Sequence, residues 1–336
     1  MSETERGLES QLAAALGGSG LVSDQAEGGM EIFGRDALDL LHRISTNSLQ
    51  HLKPGMSRDT IFTDAKGRLV SVATLAVSED RIVLLCSARD EEKLMDWIAK
   101  YIITEDVQLK GLTPDVATIK LIGPDALAMA SALIGREIAH ESLVELKGNH
   151  GTIAAVVSGW RRCGLVTLLM HDGGGGDQRE AVVGRLKSLG AVELGKEAWE
   201  LYRISRGIPA SGAEVRLQFT PYDVALADLV SYSKGCYIGQ EVIARLETYQ
   251  KARRSLFGIR CSERPAGLEL PVALHSGGVQ AGVCTSLSAS PIHGEHLGLA
   301  VLQRDAASEG ACLSMAVSDR LFPCRVAAIP MEFGSG

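Results

Sequence analysis

One short motif occurs twice in this chain, and its recurrence restricts the fold more than any other feature. Met30 to Leu38 reads MEIFGRDAL and Ile119 to Leu127 reads IKLIGPDAL, so Gly34, Asp36, Ala37 and Leu38 return as Gly123, Asp125, Ala126 and Leu127. In each copy a short apolar strand stops at glycine. A helix then begins near the aspartate, whose carboxylate can accept from free N–H groups of the first turn. The sequel repeats too. Leu69 to Val77, a turn at Ser78-Glu79-Asp80 and Ile82 to Ser87 predict a β-hairpin, matched later by Thr152 to Ser158 and Leu165 to Met170. Each hairpin leads into a helical stretch (Asp90 to Tyr101; Gln178 to Leu189) and a short apolar strand (Val107 to Leu112; Ala191 to Leu194). Each half therefore reads β-α-β-β-α-β, the split βαβ or ferredoxin-like unit.

Beyond about Ser255 the texture changes to short strands parted by Gly, Pro and Ser, as at Ser276-Gly277-Gly278 and Ser288-Ala289-Ser290-Pro291. That pattern predicts a small β-barrel. The expected fold class is α+β: a first ferredoxin-like half over 20–115, a second over 116–254 and a C-terminal barrel over 255–336, with the halves free to exchange segments in space. A chain of 336 residues exceeds the usual single core. With 46% hydrophobic but only 4% aromatic residues, its cores must be aliphatic. The run Gly173 to Gly176 reads as a connector, since neither flank supplies the Lys-Ser/Thr of a phosphate-binding loop.

A net charge of −7 opposes binding built on the nucleic-acid backbone, so direct nucleic-acid binding is not expected. The seven cysteines include no C-x-x-C pair and no metal-ligand spacing, and His293 and His296 flank Gly294-Glu295 in a turn-rich loop rather than forming half a metal site. No metal is expected. The first twenty residues are acidic and Ala-rich without a secretory pattern, and no run approaches membrane-spanning length. The expectation is a cytoplasmic protein of a reducing compartment, away from the membrane.

The densest cluster of unusual residues is Lys234-Gly235-Cys236-Tyr237-Ile238-Gly239-Gln240-Glu241. Leu229 to Tyr232 ahead of it reads as a strand. Behind it Val242, Ile243, Leu246 and Tyr249 share a helical face, and Glu241 with Arg245 forms an i,i+4 pair. Cys236 would then lie just before the positive end of a helix dipole, two residues from Lys234, and both influences favour thiolate. A cysteine alone would read as a small buried residue at a tight turn. Its Lys, Gly, Gln and Glu neighbours favour a reactive thiol, with Cys236 and Lys234 as the candidate catalytic pair.

The string at 234–241 resembles the diagnostic motif of the YgfZ family, a branch of the folate-binding aminomethyltransferase superfamily related to mitochondrial iron–sulfur assembly factors. Tyr202 to Pro209, Gly34-Arg35-Asp36-Ala37, Ser45-Thr46-Asn47 and Gly282 to Gly298 resemble further blocks of that family, so the likeness spans nearly the whole chain. It implies a three-domain cloverleaf around a central channel, with tetrahydrofolate or a derivative as cofactor. It also implies a role in assembly or repair of iron–sulfur proteins, with those proteins or their assembly machinery as partners and an indirect effect on tRNA modification. The folate-binding residues it implies are Tyr237, Gln240, Glu241, Arg245, Arg203, Ser205, Arg253 and Arg254.

Where working aminomethyltransferases carry an aspartate after a Gly-rich turn, this chain has Gly67-Arg68-Leu69-Val70-Ser71 and no carboxylate. Their pterin-binding carboxylate is matched by Ser205, whose hydroxyl cannot offer paired acceptors. The resemblance thus implies weak folate binding and an assembly factor rather than an enzyme. The alternative is a folate-dependent one-carbon transferase acting as an aminomethyltransferase or amine demethylase. Lys234, Arg245, Lys251, Arg253 and Arg254 form a local basic patch, either a solvated face or a dock for a glutamate tail or an acidic partner.

Overall fold

The computed structural model describes residues 3–23, 27–112, 116–148, 151–159, 164–171, 177–248, 253–318 and 320–332. Gly173 to Gly176, Tyr249 and Lys251 lie outside the described residues. The fold is α+β in three lobes, ending in a closed barrel.

The chain starts with α1 (Glu3–Gly17) and the short β1 (Gly20–Val22), which serve the second lobe. The first lobe follows as β2 (Glu27–Phe33), α2 (Ala37–Ile44), β3 (Ser57–Thr63), β4 (Leu69–Val77), β5 (Ile82–Ser87), α3 (Glu91–Ala99) and β6 (Gln108–Gly111). Its antiparallel sheet runs β3-β4-β5-β2-β6. The order β4-β5-β2-β6 is the ferredoxin-like pattern, extended by β3. Leu40 and Leu41 of α2 and Leu94 and Ile98 of α3 pack on Phe62 and Leu75 of the sheet in an almost wholly aliphatic core.

The second lobe repeats the plan with β7 (Val116–Ile122), α4 (Ala126–Ile134), β8 (Leu143–Gly148), β9 (Gly151–Val157), β10 (Val166–His171), α5 (Asp177–Ser188) and β11 (Val192–Glu193). Its sheet runs β11-β1-β7-β10-β9-β8. Two points differ from the sequence expectation. Each half has one more strand than β-α-β-β-α-β. β3 was hidden because its Ser57, Asp59 and Thr60 are buried polar residues that break the apolar alternation. The strand at 192–193, moreover, does not lie beside β7. That place is taken by β1, antiparallel to β7 just as β6 is to β2, and β11 adds outside it in parallel.

The repeated motif explains itself at this junction. Gly34 and Gly123 have φ of 108° and 99°, and a Cβ there would come within 2.0 Å of the Asp106 carbonyl oxygen and 2.3 Å of the Ala15 carbonyl oxygen. Only glycine allows the incoming chain so close. The aspartates do not cap their helices through their side chains. Asp36 instead accepts from the Asp106 N–H at 2.8 Å, and the Asp125 N–H donates to the Gly18 carbonyl at 3.0 Å. Both copies thus tether the segment that enters the strand next to the motif's own, β6 beside β2 and β1 beside β7.

α6 (Lys196–Arg206) follows, then an irregular stretch with a 3₁₀ turn at Ala227–Leu229, then α7 (Gln240–Thr248). The expected strand at Leu229 to Tyr232 is absent, because those backbone groups bond elsewhere: the Ser231 N–H donates to the Thr46 carbonyl, and the Leu229 carbonyl accepts from Thr46 Oγ1. The last lobe comprises β12 (Arg254–Cys261), β13 (Val272–Ser276), β14 (Val279–Leu287), β15 (His296–Gln303), β16 (Cys312–Val317) and β17 (Arg320–Ala327). They run β12-β15-β14-β13-β16-β17 and close through β12–β17 pairing. A shared apolar cluster of Leu12, Tyr202, Ile204, Ile243, Leu256 and Leu299 joins α1, α6, α7 and the barrel at the centre. Among the described residues no helix is long and apolar enough to cross a membrane.

Candidate ligand pocket

A cavity of about 300 Å³ lies between the two sheets and α6. Its wall takes Asp59, Thr74, Cys86 and Asp90 from the first lobe, Lys120, Ser158 and Thr167 from the second, and Trp199, Glu200 and Arg203 from α6. A second cavity of about 670 Å³, lined by Gly123, His140, Glu141, Tyr202 and Arg206 among others, adjoins it, with Ser158 and Leu165 lining both. The two lie side by side along that shared wall.

Alternation in the sheets sends polar side chains into the smaller cavity. Asp59, 4% exposed, accepts from Thr74 Oγ1 at 2.5 Å and Ser158 Oγ at 2.8 Å, which ties the two sheets together. Lys120 pairs with Glu27 and sits 5.3 Å from the Trp199 ring centroid. Asp90, 5% exposed, accepts from Ser71 Oγ at 3.1 Å and Ser211 Oγ at 2.7 Å. Among the described residues no cationic side chain pairs with it. A buried carboxylate supported only by neutral donors is a natural partner for a cationic ligand group. Cys86 also lines the pocket, but burial, followed by Glu27, pushes its thiol well above the usual range, so it stays protonated.

Arg203 is the keystone of the far wall. Its Nε donates to Glu200 Oε2 at 2.7 Å, and Nη2 reaches Glu200 Oε1 and Ser286 Oγ. Nη1 donates to Glu214 Oε2 at 3.3 Å. Glu214, wholly buried, also accepts from Thr285 Oγ1 at 2.5 Å and Ser286 Oγ at 2.7 Å. Burial opposes the Arg203 charge, yet Glu214 and Glu200 outweigh it and hold its pKa above the ordinary value. The fork thereby fixes Glu200, half-exposed at the pocket, and anchors α6 to β14.

The other residues singled out in the sequence are not in this wall. Ser205 is fully buried, its hydroxyl donating to the Tyr202 carbonyl at 2.8 Å and its own carbonyl accepting from the Met331 N–H. Lys234 is also buried: its ammonium donates to the carbonyls of His42, Ser45 (2.6 Å) and Asn47 (2.9 Å), with the Tyr237 ring 5.2 Å away. It closes the C-terminal end of α2, and burial lowers its pKa to about 8. The two sequence blocks at 45–47 and 234–241 therefore meet in space. Gly239, with φ of 81°, would place a Cβ 2.5 Å from the Asp64 carbonyl oxygen, and Thr63 Oγ1 donates to the Ile238 carbonyl at 2.7 Å. These contacts seat the loop on the β3–β4 turn.

Cys236 is exposed at the outer bend of that loop, four residues before α7 begins at Gln240 rather than next to the helix end. Gln240 is partly exposed, and Glu241 pairs with Arg245 at 2.6 Å on the exposed face of α7. Arg254 forks onto Asp223 at 3.0 and 3.1 Å and covers the Phe219 ring, while Arg253 is exposed. Of the cofactor-binding residues proposed from sequence, Arg203 lines the pocket. Asp90, Glu200, Asp59 and Lys120 were missed; Asp90 and Glu200 lay in plain helical stretches with no local signal of their convergence.

Residues 3–234 match the family described as the GCVT N-terminal domain. A chloroplastic protein of Arabidopsis thaliana, named as a candidate transferase, is 29% identical over 289 residues, covering 84% of this chain; the chain spans 65% of that protein's length. An aminomethyltransferase of Bacillus licheniformis is 24% identical over 325 residues, covering 93% of this chain and 86% of the relative. Among solved structures, the glycine cleavage system aminomethyltransferase T from Bartonella henselae superposes with a TM-score of 0.76 at 19% identity, covering 96% of this chain and 89% of that one, and so shares its fold. The two duplicated lobes and most of the loop that follows them lie within the matched residues, and the chain belongs to the GCVT N-terminal domain family.

Proposed function

We propose that this chain binds a reduced folate in the adjoining cavities between the lobes and uses the exposed Cys236 thiol in assembly or repair of iron–sulfur proteins, as the YgfZ-like string at 234–241 suggests. The observation that carries the reading is the presentation of Cys236. The thiol stands in solvent on a loop clamped to the first lobe by Lys234 and Thr63; among the described residues Cys86, Cys261, Cys284 and Cys324 are buried, and the other exposed cysteine, Cys312, opens a barrel strand away from that loop. A thiol meant only to fill space would be packed away. An exposed one on a fixed loop can meet a partner protein, and the reading places that encounter in the cytoplasm.

Folate fits the smaller cavity on chemical grounds. The amino-pyrimidinone edge of a pterin carries adjacent donors and calls for a paired acceptor. Glu200, held by the Arg203 fork, offers one at the pocket wall. Calorimetric titration with tetrahydrofolate and its 5-formyl form is expected to give one site per chain, weakened tenfold or more, roughly, by Glu200→Gln. Unchanged affinity would remove Glu200 from the site. Cys236→Ala is expected to fold normally yet fail to restore iron–sulfur enzyme activity in a deletion strain; full rescue would end the role given to the thiol.

A second reading, a folate-dependent one-carbon transferase acting on an amine, is favoured by Asp90. Its buried carboxylate, lacking a cationic partner among the described residues, suits a protonated amine entering the pocket. One-carbon transfer from a methylated amine to tetrahydrofolate would establish this reading, and its absence with folate bound would leave the first.

A further inference from the structure

The seam that closes the barrel carries two thiols with no part in the pocket. Cys261 ends β12, Cys324 lies in β17, and the two are registered partners in the antiparallel pairing of those strands. Their sulfurs are 3.0 Å apart, with the Cys261 S–H donating to Cys324, whose own S–H points to the Phe322 carbonyl at 3.6 Å. Registered antiparallel partners have Cα atoms about 4.5–5.5 Å apart, inside the range a disulfide spans. The third thiol of this core, Cys284, is turned away to the Ser286 carbonyl at 3.3 Å.

We propose that Cys261 and Cys324 form an oxidisable dithiol, converted by a small peroxide into a disulfide that locks the barrel seam. The hydrogen bond from Cys261 holds the Cys324 thiol below its usual range and pushes Cys261 up, so negative charge develops on Cys324. The Cys324 thiolate attacks one peroxide oxygen, the O–O bond breaks, and hydroxide leaves, taking up the Cys324 proton as water. The resulting sulfenic acid is attacked by the Cys261 sulfur; the S–O bond breaks, the S–S bond forms, and hydroxide leaves with the Cys261 proton as a second water. Two thiols are oxidised by two electrons and one peroxide is reduced to two waters. Both cysteines are buried, but Cys261 is the last residue of its strand and Ser262 and Glu263 beyond it are exposed, so opening of the strand end admits a peroxide-sized molecule.

The lock would join residues 63 positions apart, nearly the whole barrel. Removing that much freedom from the unfolded chain stabilises the barrel selectively.

The test uses the full chain. Accessible thiols are first alkylated under native conditions, hydrogen peroxide is added, and peptides are mapped by mass spectrometry without reduction. The expected result is a linked peptide pair holding Cys261 and Cys324, two hydrogens lighter than the separate peptides, with a melting midpoint higher by about 5 °C or more that falls back on reduction. Cys261→Ser and Cys324→Ser should each abolish both effects. A linkage through Cys284, or peroxide consumption that leaves Cys261 and Cys324 as free thiols, would overturn the assignment. Because the mapping reads the wild-type chain, it decides the matter even if a serine variant fails to fold.

Discussion

The Ser71 hydroxyl donates to Asp90 Oδ2 across 3.1 Å, joining β4 to the residue that precedes α3 at the floor of the pocket. Ser71 ends the segment Gly67 to Ser71, the stretch in which the family resemblance implies a carboxylate for working aminomethyltransferases. Asp90 delivers one to the same neighbourhood from 19 residues further on.

Asp90→Asn should therefore separate the two functional readings. The amide keeps the size of the side chain, and the Ser71 and Ser211 hydroxyls can rotate to suit it. If the pocket transfers one-carbon units from an amine, kcat/KM for that amine falls by about a hundredfold or more while the tetrahydrofolate Kd moves little. Steady-state kinetics alongside calorimetry measures both quantities.

Arg203 is expected to matter for stability as much as for binding. Truncation to Ala leaves the Glu214 carboxylate buried without its cation, at a cost of about 3–5 kcal/mol, since Glu214 is wholly inaccessible. Lys cannot replace a fork that reaches Glu200, Glu214 and Ser286 together. Urea unfolding of Arg203→Ala, of Glu214→Gln and of the double variant would show the double costing clearly less than the sum of the singles.

Lys234 predicts a pH signature. Burial lowers its folded pKa to about 8, below the ordinary lysine value, so between those two pH values the unfolded chain binds more protons than the folded one. Stability linked to this residue therefore rises as pH climbs from about 8 towards the unfolded value and is level on either side. Unfolding free energies of wild type and Lys234→Met, compared from neutral pH upward, should diverge in that window. At neutral pH the Met variant loses the donor to the His42, Ser45 and Asn47 carbonyls and should be less stable by about 2–3 kcal/mol.

Ser205→Glu, the substitution that the aligned position invites, is expected to harm rather than help. Ser205 is fully buried and its backbone carbonyl is held by Met331, so a glutamate there would carry an unpaired charge into a packed junction. A lower melting midpoint with no tightening of folate binding is the expected outcome; tighter binding would mean that α6 turns this face towards the ligand.

Local signals carried the duplication, the hairpins and the barrel, since glycine turns and apolar periodicity act over a few residues. They failed where distant partners decide. Nothing near Gly20 announces a strand whose neighbours are β7 and β11. The string at 234–241 stands out because its backbone path is demanding, and Gly239 and Lys234 answer to that demand. The pocket carboxylates escaped notice for the opposite reason: Asp90 and Glu200 sit in unremarkable helical surroundings and acquire meaning only when separate elements converge. Polar pocket walls in a sheet also erase the alternation by which the sheet is recognised, as in β3.

The placement of β1 has a consequence for synthesis. The first lobe holds all its strands by Gly111, so it can be complete while the rest of the chain is still on the ribosome. Its sister must keep an early tripeptide, Gly20 to Val22, waiting until both β7 and β11 have emerged, and only then can the sheet be threaded shut. Two near-copies of one architecture thus differ in how much chain each needs before its sheet can close, up to Gly111 for the first and up to Glu193 for the second.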